Sequence, residues 1–153
     1  MTPTFKKLNL KDQRRIVVLN APESFEPELA SLHGIRVLRK LDEAAGFELS
    51  LAFVTKQQEA DALGKVIGRS ASGDAVIWFA YPKGTSKKYR SEINRDTGWQ
   101  VLGKQGFEPV RMVAIDEDWS AIRFRRVEFI KTLTRATEHR LTKQGNARKK
   151  PRI

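Results

Sequence analysis

The chain has 153 residues, 40% of them hydrophobic and 31% charged, a balance that suits one globular domain with a single core. It contains no cysteine, which excludes disulfides, thiolate metal sites and cysteine nucleophiles. Its net charge of +11 sits at the ends: residues 1–15 carry +4 and residues 135–153 carry +6, which leaves +1 for residues 16–134.

Met1 to Arg15 lacks the apolar stretch of a secretory signal. The longest apolar run, Ala75 to Tyr81, is too short to cross a bilayer, so a cytoplasmic location is expected. Ile16 to Leu19 is a continuous apolar run of the kind found in strands buried on both faces. Ser24 is placed to cap a helix reaching about His33, with Pro27 in its first turn and Gly34 as its stop. Ile35 to Leu41 and Leu49 to Val54 read as the second and third strands. Thr55-Lys56-Gln57-Gln58 has capping-box form and opens a helix through Ala60, Leu63, Ile67 and Ala71, ended by Ser72-Gly73-Asp74.

Ala75 to Tyr81 is apolar on both faces, as expected of an interior strand. The reading continues with a helix from Ser91 to about Gln105, stopped by Gly106, and a strand from Val110 to Ile115. Asp116-Glu117-Asp118 is a turn, and Trp119 to Arg126 returns as a strand. Its alternating arginines make one face wet, which places it at a sheet edge. Val127 to Leu141 is expected to be a terminal helix, and Gly145 to Ile153 a solvated tail. The expected organisation is one domain over residues 1–134 and a basic extension over 135–153.

Strands alternating with helices predict an α/β fold: a doubly wound, mostly parallel Rossmann-like sheet with an antiparallel C-terminal hairpin strand. The order resembles the methyltransferase-like branch of the Rossmann folds. Four segments carry a second resemblance: Val18-Leu19-Asn20-Ala21-Pro22-Glu23-Ser24-Phe25, Trp78-Phe79-Ala80-Tyr81-Pro82-Lys83, Asn94-Arg95-Asp96 and Ala114-Ile115-Asp116-Glu117-Asp118-Trp119-Ser120-Ala121. Together they resemble a bacterial family, a domain of unknown function, over about Leu10 to Arg126. That resemblance supports a single domain and implies no mechanism.

In open α/β sheets, ligands bind outside the carboxyl ends of the strands, near the point where strand order reverses. Two loops are expected there on neighbouring strands, Asn20–Phe25 and Tyr81–Arg90. The second concentrates cations, hydroxyls and a glycine ahead of a predicted helix, the makings of an anion site. The expected ligand-binding residues are Lys83, Thr85, Ser86 and Lys88 around the anion, with Asn20 orienting the ligand through its amide and close to Lys83 across the crevice. The first loop has no glycine, Pro22 lacks a donor and Glu23 repels phosphate, so no cofactor of the usual Rossmann kind is expected.

Asp116, Glu117 and Asp118 are read as turn residues rather than a metal site, since Asp favours turns through its own side-chain hydrogen bonds. Trp119 is read as a packing anchor. His33 and His139 have no evident metal partner, and Ser120 has no histidine nearby to suggest a triad. The leading reading is a domain binding a phosphorylated or otherwise anionic small molecule, with no catalytic residue assigned. One alternative is a degenerate methyltransferase-like enzyme using S-adenosylmethionine, with Asp42 or Glu43 on its ribose. Another is non-specific association with nucleic acid through the basic termini, with Gly145 to Arg152 as the basic arm.

Overall fold

The computed structural model describes residues 2–41 and 46–130. Asp42, Glu43, the predicted helix beyond Ile130 and the basic tail lie outside the described residues. In chain order the elements are α1 (Pro3–Lys7), β1 (Arg15–Leu19), α2 (Glu26–Ala30), β2 (Arg36–Leu38), β3 (Leu49–Phe53), α3 (Gln57–Ser70), β4 (Val76–Pro82), α4 (Gln100–Lys104), β5 (Phe107–Ala114) and β6 (Trp119–Arg126). Among the described residues no helix is long and apolar enough to cross a membrane.

The strands form one sheet in the order β2-β1-β3-β4-β6-β5. β1 pairs in parallel with β2 and β3, and β3 with β4, while β6 runs antiparallel to both β4 and β5. The mostly parallel sheet with an antiparallel C-terminal strand is therefore as the sequence predicts. The sheet edge is not. β6 lies between β4 and β5 because Ala121, Ile122 and Phe124 are fully buried, and β5 takes the edge instead. The half-wet character of β6 comes from arginines on one face of an interior strand.

β4 shows why the middle of the sheet is apolar on both sides. Ile77, Phe79 and Tyr81 join the core under α3 and α4, with Ile67, Trp99 and Leu102. Val76, Trp78 and Ala80 join the opposite core with Phe5, Phe25 and Leu29. Trp78 has no exposed surface, and its indole N–H donates to the Leu8 carbonyl at 2.8 Å. That bond ties the N-terminal segment to the sheet centre. α1 itself is absent from the sequence reading, although its signals are present: Thr2 accepts the Phe5 N–H, and Pro3 opens the first turn.

Three helix boundaries differ from expectation. The helix predicted from Ser24 to His33 is a 3-10 turn over Glu23–Phe25 followed by the five residues of α2. The cap of α3 is built by Glu59 rather than Gln58: its carboxylate accepts from the Thr55 N–H (2.9 Å), the Thr55 hydroxyl (3.2 Å) and the Lys56 N–H (3.1 Å). Burial opposes its charge, yet these bonds hold the carboxyl below its ordinary range. The largest difference is at Ser91–Gln105, where only Gln100–Lys104 is helical. Gly98 sits at φ +101°, outside the helical region, and the Asn94 side chain accepts from the Asp96 and Thr97 N–H groups to form a turn.

Candidate functional site

Strand order reverses between β1 and β3, so β3 separates the two loops that the sequence places on neighbouring strands. Register puts Leu19 opposite Ala52, and Ala52 opposite Phe79. Asn20 is therefore level with Ala80, and Lys83 lies three residues further on. With strands ~4.8 Å apart and a rise of ~3.3 Å per residue, their backbones stand roughly 10 Å apart in each of two directions. The expected proximity of Asn20 and Lys83 is not found. Asn20 is exposed and adopts a left-handed conformation, φ +57°, at the exit of β1.

A cavity of about 590 Å³ opens instead over the carboxyl end of β4. Lys83 and Ser86 line it, together with Tyr81, Tyr89, Arg90 and Asn94, whereas Asn20, Thr85 and Lys88 do not. Lys83 is positioned by its strand: its N–H donates to the Asp118 carbonyl at 2.8 Å, extending the β4–β6 ladder by one residue. Its ammonium makes no ion pair among the described residues.

Ser86 has a structural task. Its hydroxyl donates to the Asp118 carboxylate at 2.8 Å and accepts from the Tyr89 N–H at 3.0 Å and the Lys88 N–H at 3.2 Å, which folds the loop onto the β5–β6 turn. Thr85 and Lys88 are exposed, and the Lys88 ammonium rests 5.8 Å from the centre of the Tyr89 ring. The next helix in sequence begins only at Gln100, so the loop itself does not run into a helix N-terminus.

Glu92 is the carboxylate on the cavity wall, and the Gln57 N–H at the start of α3 donates to it at 2.9 Å. The wall thus sets Lys83 and Arg90 against one carboxylate, a formal balance of two positive charges to one negative. Burial pushes the Tyr81 phenol above its ordinary range; Arg95 opposes the shift and Asp96 adds to it, so its hydroxyl stays a neutral donor. Arg90 and Asn94 are not among the residues expected from sequence. The signal for Asn94 lies in the Asn-Arg-Asp segment, whose fold the predicted helix obscures.

The Asp116–Asp118 turn forms as expected. The Asp116 carboxylate accepts from the Asp118 N–H at 2.8 Å and the Trp119 N–H at 2.9 Å. Trp119 is buried edge-on against Phe53, centroids 5.1 Å apart, and the Tyr89 ring packs against it at 4.9 Å.

At the switch point the described residues do not fit an adenosyl cofactor held in the usual manner. The loop after β1 offers Asn20, Ala21 and Pro22, where close backbone approach calls for glycine. Phe25 closes that loop onto the sheet, buried with its ring centroid 5.1 Å from that of Phe53. Just beyond β2, where an acid would meet a ribose, Arg39 makes a two-pronged bond to Glu26 at 2.6 and 2.9 Å. Those bonds, against some desolvation, hold the Glu26 carboxyl below its usual range.

No family model matches the chain, and no curated protein matches it. The fold, by contrast, has clear counterparts among solved structures. The N-methyltransferase NodS from Bradyrhizobium japonicum WM9 superposes with a TM-score of 0.51 at 11% identity, covering 82% of this chain and 97% of that one. A SAM dependent methyltransferase from Aquifex aeolicus gives 0.55 at 12% identity, covering 80% and 87%. The [4+2]-cyclase SpnF gives 0.52 at 10% identity, covering 80% and 79%. At such identities the likeness is one of fold: a Rossmann-like sheet, with methyltransferases among its structural counterparts. One of the three structures is a cyclase, and a fold does not fix a reaction.

Proposed function

We propose that this chain is a degenerate methyltransferase-like domain that binds an anionic, phosphate-bearing small molecule over the carboxyl end of β4, rather than an adenosyl group in its first loop. The observation that carries this reading is the cavity whose wall presents Lys83, without an ion-pair partner among the described residues, and Arg90, while its carboxylate Glu92 is engaged by Gln57. Lys83 supplies the central charge, Arg90 a guanidinium as the second charge, and the Tyr81 phenol a neutral donor.

Lys83→Ala is expected to weaken binding of ADP or pyrophosphate by about tenfold to a hundredfold, the worth of one charge-assisted hydrogen bond. Lys87→Ala, on the exposed outer loop, is expected to change it far less. Titration calorimetry reads both, and equal affinities for Lys83→Ala and wild type would remove the cavity from consideration.

A second reading, an adenosyl-dependent methyltransferase-like enzyme, is favoured by the methyltransferases among the structural neighbours. The same calorimetric panel tests it. Binding of S-adenosylmethionine or S-adenosylhomocysteine that survives Lys83→Ala would place the ligand at the switch point and overturn the leading reading.

Association with nucleic acid rests on the charge of residues 135–153. Removing Gly145–Ile153 is then expected to flatten the salt dependence of duplex binding by about 0.9 in log–log slope for each phosphate that the tail neutralises. An unchanged slope would return the tail to a solubilising role.

A further inference from the structure

The face of the sheet that carries Trp78 continues across β6 and β5, and there its residues change character. Arg123 on β6 pairs in register with Trp78 on one side and with Arg111 on the other, so two arginines stand directly opposite each other across neighbouring strands. Like charges in that position destabilise a sheet unless something compensates them. Arg125, the next residue on the same face of β6, has its compensation: Asp74 accepts from its guanidinium at 2.6, 2.9 and 3.1 Å. The other carboxylate in register on this face, Glu108 opposite Arg125, is also engaged.

Neither arginine of the opposed pair has a hydrogen-bond or ion-pair partner among the described residues. Arg123 is half-buried, and its Nε–H is shut off from solvent with no acceptor. A buried donor without an acceptor is uncommon and asks for an explanation. Burial first, and the charge of Arg125 next, lower the proton affinity of Arg123; Asp74 opposes this and Arg111 adds to it.

We propose that Arg111 and Arg123 form a binding site for a phosphate-type oxyanion on the β5–β6 face, separate from the cavity over β4. Two guanidinium forks present more donors than one carboxylate accepts, whereas a phosphate offers several oxygens and enough charge to bridge both. Such an ion would compensate the like-charge pair through the guanidinium Nη groups, while the orphaned Nε–H stays closed to it. The site does not depend on the role of Lys83.

The test is titration of the full chain with inorganic phosphate, followed by the Nε–Hε resonance of Arg123 and by calorimetry. A short DNA duplex serves as a second arm. In wild type the Arg123 signal is expected to move with phosphate and not with chloride. Arg111→Met, at an exposed position that leaves the core intact, and Arg123→Met, which keeps the unbranched stem as far as the Nε position, are each expected to weaken phosphate binding by about tenfold or more. Lys83→Ala is expected to leave the Arg123 response unchanged.

Weakened duplex binding in both arginine variants would identify the phosphate source as a nucleic acid backbone. A phosphate response without one from the duplex would identify a free phosphate or phosphorylated small molecule. Either result supports the site. A wild-type Arg123 signal indifferent to phosphate, affinities unchanged in both arginine variants, or a response lost only in Lys83→Ala would overturn it.

Discussion

Trp78→Ala is expected to cost about 3–5 kcal/mol, the usual penalty for emptying a fully packed aromatic site. Trp78 has no exposed surface, sits in the middle of an interior strand, and bonds the Leu8 carbonyl across 70 positions of sequence. Truncation therefore opens a void in the core that Phe5, Phe25 and Leu29 share, and leaves the Leu8 carbonyl without its donor. Since domains of this size are stable by only about 5–15 kcal/mol, the variant should unfold at a much lower urea concentration. Trp78→Phe separates the two contributions. It keeps a ring in the core and loses the hydrogen bond, for a net loss of about 1 kcal/mol from the bond plus a smaller packing cost. A midpoint for Trp78→Ala within experimental error of wild type would contradict the packing described for β4.

Gly98→Ala is the second large effect, and it concerns the cavity as well as stability. Gly98 holds φ +101°, where a residue with a Cβ is strained by about 1–3 kcal/mol. The added methyl also collides with the Ile93 side chain and reaches 3.1 Å from the Gln57 amide oxygen. Overpacking of that kind adds roughly 1–3 kcal/mol. Gly98 accepts a bond from the Gln57 amide, while the Gln57 N–H donates to Glu92 on the cavity wall. The substitution should therefore lower the urea midpoint and weaken ligand binding together, although residue 98 does not line the cavity. If stability falls and affinity holds, the 83–99 loop does not need its present shape for binding. If neither changes, the strain assigned to Gly98 is wrong.

The parts of this fold legible in sequence are those dictated by local pattern. β1, β3 and β4 announce themselves as short apolar runs because both faces are covered, and β6 is found to its boundaries because Trp119 to Arg126 alternates. What a sequence does not carry is strand order. The arginines of β6 point to a sheet edge, yet Ala121, Ile122 and Phe124 bury it between β4 and β5. The same blindness joins the Asn20 and Lys83 loops into one crevice, when β3 runs between them.

At the candidate site, Lys83 is legible because it follows directly from a two-faced apolar strand. The work of Ser86 is not, since its acceptor, Asp118, lies 32 positions away. The loop beyond it reads as a helix although it folds otherwise: the Trp99 indole N–H donates to the Asn94 carbonyl at 2.7 Å, and the Gln57 amide, 41 positions away, donates to the Gly98 carbonyl. Helical periodicity in Ser91–Gln105 thus loses to a turn and a positive φ.

The antiparallel insertion of β6 also bears on the order in which the molecule can be made. While the chain emerges from a ribosome, β1, β3 and β4 can pair as soon as each is released, but one flank of β4 has no strand to meet until residues 119–126 arrive. β5 cannot dock earlier, because its partner in the sheet is β6. For the interval needed to synthesise residues 83–126, the apolar strand Val76–Pro82 is a bare edge, the state most prone to pair with a neighbouring nascent chain. Long-range closure by a late strand is also intrinsically slow. Chain release, rather than the folded state, is thus the stage at which this architecture is most open to aggregation, and a stop codon before Trp119 would leave a fragment that stays there.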